Sequence, residues 1–151
     1  MDDESPEYQE FKNRAVFEGT DVFELFPGDF LDEVQRWNPG SAYVREEAFE
    51  PFQRAVLSAA PDFDWYSETR LDRPRIERLL VELRTLRDKI TRASSVEELA
   101  KVFGKNFRWY TITGPVRLEL RRKQLLQMTD DLADVARTAL SGATSLWILG
   151  L

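Results

Sequence analysis

The most regular pattern of apolar and polar residues in the chain runs from Arg73 to about Arg92. Apolar side chains recur there at steps of three and four residues, with Arg and Glu between them, as on one face of an amphipathic helix. They are Ile76, Leu79, Leu80, Leu83, Leu86 and Ile90. Asp72 is a good N-cap, and Pro74 needs no amide partner in the first turn. The pattern therefore predicts a long helix whose apolar stripe lies in the core.

Four other segments carry helical signals. After a cap at Asp29, Phe30, Val34 and Trp37 fall on one face of a helix. Residues 95–98 (SVEE) have the sequence of a capping box, which opens a helix. The expected helices cover residues 29–37, 46–60, from Ser95 to Gly104, and 115–140.

The remaining patterns predict few strands. Residues 107–113 (FRWYTIT) are aromatic and β-branched, and the apolar ending 145–151 must be buried as a strand or a docked tail. Residues 62–69 are aromatic and acidic without helical period, which indicates a loop or a short strand. We therefore expect a mainly α fold, a compact helical bundle with one or two short strands (107–113, 145–151). It forms a single domain over 1–151, with a disordered acidic terminus at 1–7.

Composition excludes several kinds of chemistry. The chain has no Cys and no His, so it has no disulfide, no Ser–His or Cys–His nucleophile and none of the usual zinc sites. We expect no catalytic site, no cofactor and no metal, and so no enzyme. No apolar run approaches the roughly 18 residues that cross a bilayer. We expect a cytoplasmic protein without a membrane partner.

Charge is distributed unevenly along the chain, whose formal net charge is −6. Residues 1–72 hold 18 acidic and 6 basic residues, whereas residues 73–151 hold 9 acidic and 15 basic residues. Such asymmetry indicates a charged binding face, or two halves that pack against each other. The sequence leaves both interpretations open.

The acidic aromatic segment is the best candidate for a partner-binding site. It combines rings that can be desolvated with carboxylates that attract and select a basic partner. Its residues are Asp62, Asp64, Trp65, Tyr66 and Glu68. In the alternative interpretation, Phe63 and Trp65 are core residues under a loop and the acidic side chains are merely solvated.

A family resemblance points the same way. The stretch FDWYSETRLDRPRIERLLVELRTL (63–86), a long last helix and the ending SLWILGL (145–151) resemble small bacterial immunity proteins of the polymorphic-toxin kind. The resemblance covers roughly the second half of the chain. It concerns the general order of an aromatic acidic turn, a Leu-rich helix and an apolar ending, and it contains no diagnostic motif. It implies a non-catalytic inhibitor that plugs the active site of a toxin domain, often a basic nuclease, with an acidic surface.

Two other functions remain as alternatives. Asp62-x-Asp64 is a pair of carboxylates that could hold Mg²⁺ or Mn²⁺ in a metal-dependent enzyme. Basic residues of the two long helices could meet nucleic-acid phosphates. These are Arg73, Arg75, Arg78, Arg84, Arg87, Lys89, Arg92, Arg117, Arg121, Arg122 and Lys123. Because acidic residues interleave with them and the chain is acidic overall, we expect them to pair with the acidic half instead.

Overall fold

Four short strands form an antiparallel sheet in the computed structural model, which describes residues 22–103 and 118–151. The strands are β1 (Val22–Pro27), β2 (Ala42–Arg45), β3 (Glu68–Leu71) and β4 (Leu146–Leu149). Their order across the sheet is β2-β1-β4-β3, so the carboxyl-terminal strand β4 lies between β1 and β3. The terminus predicted to be disordered (1–7) and the strand predicted at 107–113 lie outside the described residues.

Helices cover one face of this sheet. They are α1 (Glu46–Phe49), which continues through a 3₁₀ turn (Glu50–Phe52) into α2 (Gln53–Ala59), then α3 (Arg73–Arg92), α4 (Val96–Phe103) and α5 (Leu118–Ser141). Helix α3 packs against α2 and α5, and α5 also contacts β1 and β4. None of the helices in the described ranges is both long and apolar enough to cross a bilayer.

The alternation of side chains along β1 decides which face of the sheet meets the helices. Phe23 and Leu25 are fully buried in the main core, whereas Glu24 lies on the opposite face. Leu79 and Leu83 of α3 belong to the same core cluster, as the stripe of apolar residues predicted. One continuous core therefore joins the sheet and the helices.

Two of the predicted helix starts are confirmed in atomic detail. The Asp72 side chain accepts a hydrogen bond from the Arg75 amide at 3.3 Å, which caps α3. Before α4, the Ser95 hydroxyl accepts from the Glu98 amide at 3.1 Å, as in a capping box. Glu98 reaches back one residue further than the motif implies, because its carboxylate accepts from the amide and hydroxyl of Ser94 at 2.8 and 2.9 Å.

The mainly α prediction is incomplete, because the sheet makes the fold mixed α/β. The docked ending was predicted correctly as β4, and β3 overlaps the segment 62–69, for which a short strand was one alternative, but β1 and β2 were not assigned as strands. The helix predicted over 29–37 is wrong: residues 28–41 form an irregular loop between β1 and β2. The amides of Trp37 and Asn38 donate to the buried Glu24 carboxylate at 2.6 and 2.8 Å, and Trp37 has a φ of 66°, outside the helical region.

Candidate protein-binding surface

The predicted acidic aromatic segment lies between α2 and β3 and is called here the Tyr66 loop (residues 61–68). Phe63 is buried, and the half-buried Trp65 packs inward on Phe23 with edge-to-face rings whose centroids are 4.8 Å apart. The Trp65 indole nitrogen donates to the Glu46 carboxylate at 3.3 Å. The rings of Phe63 and Trp65 therefore contribute to the core and anchor the loop from below.

The backbone of the Tyr66 loop is fixed by the carboxyl-terminal tail. The Gly150 amide donates to the Ser67 carbonyl at 2.9 Å, and the Leu151 amide donates to the Trp65 carbonyl at 3.0 Å. The approach is so close that a Cβ at Gly150 would lie 2.4 Å from the Trp65 carbonyl oxygen. Glycine is therefore needed there, and the tail holds the loop in one conformation.

Tyr66 is the aromatic side chain that this loop presents to solvent, with 72% of its surface exposed. Three exposed carboxylates surround it in sequence, at Asp62, Asp64 and Glu68. Asp64 Oδ1 accepts a hydrogen bond from the Tyr66 amide at 2.9 Å, which stabilises the local turn. Asp62 Oδ1 pairs with Arg75 at 2.7 Å, and Glu68 begins β3 opposite Leu149. The loop thus combines one exposed aromatic ring with three exposed carboxylates.

A second acidic segment, which the sequence interpretation missed, lies in the β1–β2 loop (28–41). Leu31 is fully exposed there, and Asp29, Asp32 and Glu33 are exposed beside it. These residues line a surface groove of about 590 Å³ together with Phe26, Phe30, Gln35 and Asn38. The run of acidic residues between two turn signals was visible in the sequence, but it was assigned to a helix.

A buried carboxylate organises the β1–β2 loop. Glu24 is fully buried and accepts hydrogen bonds from Trp37, Asn38 and Ser41, of which the Ser41 hydroxyl is 2.7 Å away. Asn38 contributes both its amide and its side-chain nitrogen, each at 2.8 Å. Burying a carboxylate is costly unless its oxygens are satisfied, so this network holds the loop against the sheet.

The two acidic loops meet at the carboxyl-terminal end of β4. Arg36 of the β1–β2 loop donates to the Gly150 carbonyl oxygen and, at 2.5 Å, to the Val22 carbonyl oxygen. The Gly150 amide binds Ser67 of the Tyr66 loop. Gly150 therefore contacts both loops through its own backbone, whereas the Asp29 carboxylate of the β1–β2 loop lies at the other end of β4, where it accepts a hydrogen bond from the Ser145 amide at 3.3 Å.

Several of the basic side chains form ion pairs with carboxylates of their own half of the chain. Among ion pairs between described side chains, Asp62–Arg75 joins the acidic and basic halves. The other pairs lie within the basic half, and they are Arg73–Glu77, Arg78–Glu82, Arg87–Asp130, Arg122–Glu119 and Arg137–Asp134. Between described side chains, the expected pairing of the two halves is represented by this ion pair, and the carboxylates of Asp32, Glu33 and Asp64 are exposed to solvent.

Two of the basic residues considered for nucleic-acid binding have structural roles inside the fold instead. Arg121 is buried, and Arg122 donates to the Ile90 carbonyl oxygen at 3.3 Å and to that of Ala93. Arg122 therefore caps the carboxyl end of α3, where a cation is also favoured by the helix dipole. Arg117 lies outside the described residues.

The carboxylates of Asp62 and Asp64 each have a protein partner of their own, as described above. Within residues 22–103 and 118–151, no three side chains of the types His, Cys, Asp and Glu are grouped as a metal ion would require. Comparisons with models of protein families, with curated proteins and with solved structures found no match for this chain. What this surface binds is therefore inferred from its own chemistry.

Proposed function

We propose that this chain is a non-catalytic binding protein that recognises a basic protein surface through the Tyr66 loop. The observation that carries the proposal is the exposed Tyr66 ring. Its loop is held by backbone hydrogen bonds from Gly150 and Leu151 and carries three exposed carboxylates. A rigid aromatic side chain loses little conformational freedom when it is buried by a partner. Tyrosine is also among the residues that most often dominate binding energy at protein interfaces.

Charge supports a basic partner. Acidic side chains of both loops remain exposed, and each contributes a negative electrostatic field around its own loop. Such a field speeds the encounter with a positively charged protein and selects against acidic ones. The exposed Leu31 in the neighbouring loop adds apolar area that a partner can cover.

The resemblance to small bacterial immunity proteins supplies the partner class. In this proposal the partner is a toxin domain, such as a basic nuclease, whose active site is plugged by the acidic surface. The protein then acts in the cytoplasm and needs neither a cofactor nor a metal ion. The internal roles of Arg121 and Arg122 favour this function over nucleic-acid binding.

Titration calorimetry against a basic toxin domain, taken from a neighbouring gene where one is encoded, tests the proposal. We expect Tyr66→Ala to raise the dissociation constant about 30-fold, since truncation of an interface anchor costs about 2 kcal/mol. Val81→Ala is the matched control, because Val81 is an exposed apolar residue on α3, outside both loops. Unchanged affinity of a folded Tyr66→Ala variant would contradict the assignment of this surface, and absence of binding by the unmutated protein would contradict the toxin partner.

A further inference from the structure

A cleft of about 620 Å³ lies on the helical side of the molecule, between α2, α3 and α4. None of its lining residues belongs to the Tyr66 loop or the β1–β2 loop. Helix α3 contacts both α2 and α4, so it separates the two walls of the cleft. The volume falls within the range of sites for small molecules in proteins.

Three cations from three different helices line this cleft. They are Arg54 of α2, Lys89 of α3 and Lys101 of α4, all exposed. None of the three forms an ion pair with another described side chain. Like charges repel one another, so an anion bound between these three cations would relieve their mutual repulsion.

The two carboxylates of the cleft are already engaged. Glu82 pairs with Arg78 at 2.7 Å, and Arg78 also lies 3.5 Å from the hydroxyl of Ser58 on the opposite wall. Glu98 accepts hydrogen bonds from the amide and hydroxyl of Ser94. Of the charged residues that line the cleft, three are cations and two are carboxylates, so the lining carries a net charge of +1. A phosphate monoester carries about −1.5 to −2 at pH 7, so its negative charge complements this lining.

The remaining lining suits an organic group attached to that phosphate. Ala55, Leu86 and Val102 supply an apolar floor, and Ser58 and Thr85 place hydroxyl groups beside it. A bare inorganic anion would leave this apolar area in water. We propose that the cleft binds a small organic phosphate monoester, with its phosphate held by Arg54, Lys89 and Lys101 and its apolar body against Leu86.

The test uses phenyl phosphate as the probe, with phenol and inorganic phosphate as its two separate halves. Titrations are followed by amide chemical shifts of the full chain. We expect phenyl phosphate to shift amides of the cleft and to bind at least tenfold more tightly than either half alone. Lys89→Gln and Lys101→Gln should each weaken phenyl phosphate about tenfold, a typical loss for one charge-assisted contact.

Lys123→Gln is the matched control, because Lys123 is exposed on α5 and does not line the cleft. Circular dichroism melts confirm that all three variants remain folded. Equal weakening by Lys123→Gln, shifts spread over the basic half, or no binding of phenyl phosphate would overturn the proposal. Inorganic phosphate binding as tightly as phenyl phosphate would also overturn it, since the apolar floor would then contribute nothing.

Discussion

Gly150 lies where the carboxyl-terminal tail passes closest to the Tyr66 loop, and its missing side chain permits that approach. A Cβ there would lie 2.4 Å from the Trp65 carbonyl oxygen and 2.7 Å from that of Ser67. We expect Gly150→Ala to push tail and loop apart and to destabilise the fold by about 1–3 kcal/mol, as overpacking of a tight contact does. Thermal unfolding measures this effect.

Gly142→Ala is the matched control for that substitution. A Cβ at Gly142 meets its nearest neighbour, the Thr138 carbonyl oxygen, at 3.5 Å, which is ordinary van der Waals contact. Its melting temperature should therefore stay close to that of the unmutated protein. Similar melting temperatures for both alanine variants would show that the tail does not hold the Tyr66 loop.

Single residues also show which side-chain positions the sequence could predict and which it could not. Leu79 and Leu83 were predicted to lie in the core, because their spacing repeats along a whole helix. Trp65 lies in a segment without period, so the sequence left open whether its ring binds a partner or packs in the core, and the structure shows that it packs on the core. Buried Glu24 could not be predicted either, since its partners Trp37 and Asn38 lie 13 and 14 residues away. A carboxylate is normally assigned to the surface until those partners are known.

At the scale of elements, a cap and a long apolar stripe predicted α3 correctly, whereas a cap and a stripe of three residues at 29–37 predicted a helix that does not form. Helix α3 offered 20 residues of pattern, with a cap at Asp72. Strands β2 and β3 have four residues each, too few for alternation to be recognised against neighbouring loops. Strand β4 was foreseen because its run of apolar residues had to be buried whatever its conformation. The sheet is therefore defined by pairing across the chain, which local patterns do not contain.

The capping box of α4 predicts that the stability of the fold depends on pH through the carboxylate of Glu98. Hydrogen bonds from the Ser94 amide and then its hydroxyl hold the pKa of Glu98 below 4.5, and Lys101 adds to this effect. A carboxylate with a lowered pKa stabilises the fold above its unfolded pKa, and this contribution is lost as the pH falls through the folded pKa. We expect Glu98→Gln to be less stable than the unmutated protein at pH 7, with the difference shrinking below pH 4.5.

Urea unfolding at a series of pH values measures that difference. Glu97→Gln is the control, since Glu97 is an exposed neighbour in the first turn of α4 and accepts no hydrogen bond from the described residues. Its effect on stability should change much less with pH. A constant difference between Glu98→Gln and the unmutated protein would mean that the charged form of Glu98 does not support the cap.

At the scale of the molecule, the acidic loops and the cationic cleft of the described residues lie on different elements. The Tyr66 loop contacts the residues after β4, Asp29 of the β1–β2 loop contacts Ser145 before β4, and the cationic cleft lies among α2, α3 and α4. A charge difference between the two halves was visible in the sequence, but its meaning depended on whether the halves neutralise each other. Among described side chains, the ion pair Asp62–Arg75 connects the two halves, and the carboxylates of Asp32, Glu33 and Asp64 are exposed.

Long-range attraction by this acidic face should appear in the association rate of the proposed toxin complex. Asp32→Asn combined with Glu33→Gln removes two exposed charges from the β1–β2 loop. We expect slower association at low ionic strength and little change at high salt, because exposed charges are screened over about 8–10 Å near physiological ionic strength. Asp88→Asn, in the basic half, should have a smaller effect.

Stopped-flow mixing over a salt series separates these association rates from the dissociation rate, which Tyr66→Ala should increase instead. If the double variant associates at the unmutated rate in low salt, the β1–β2 loop does not attract the partner.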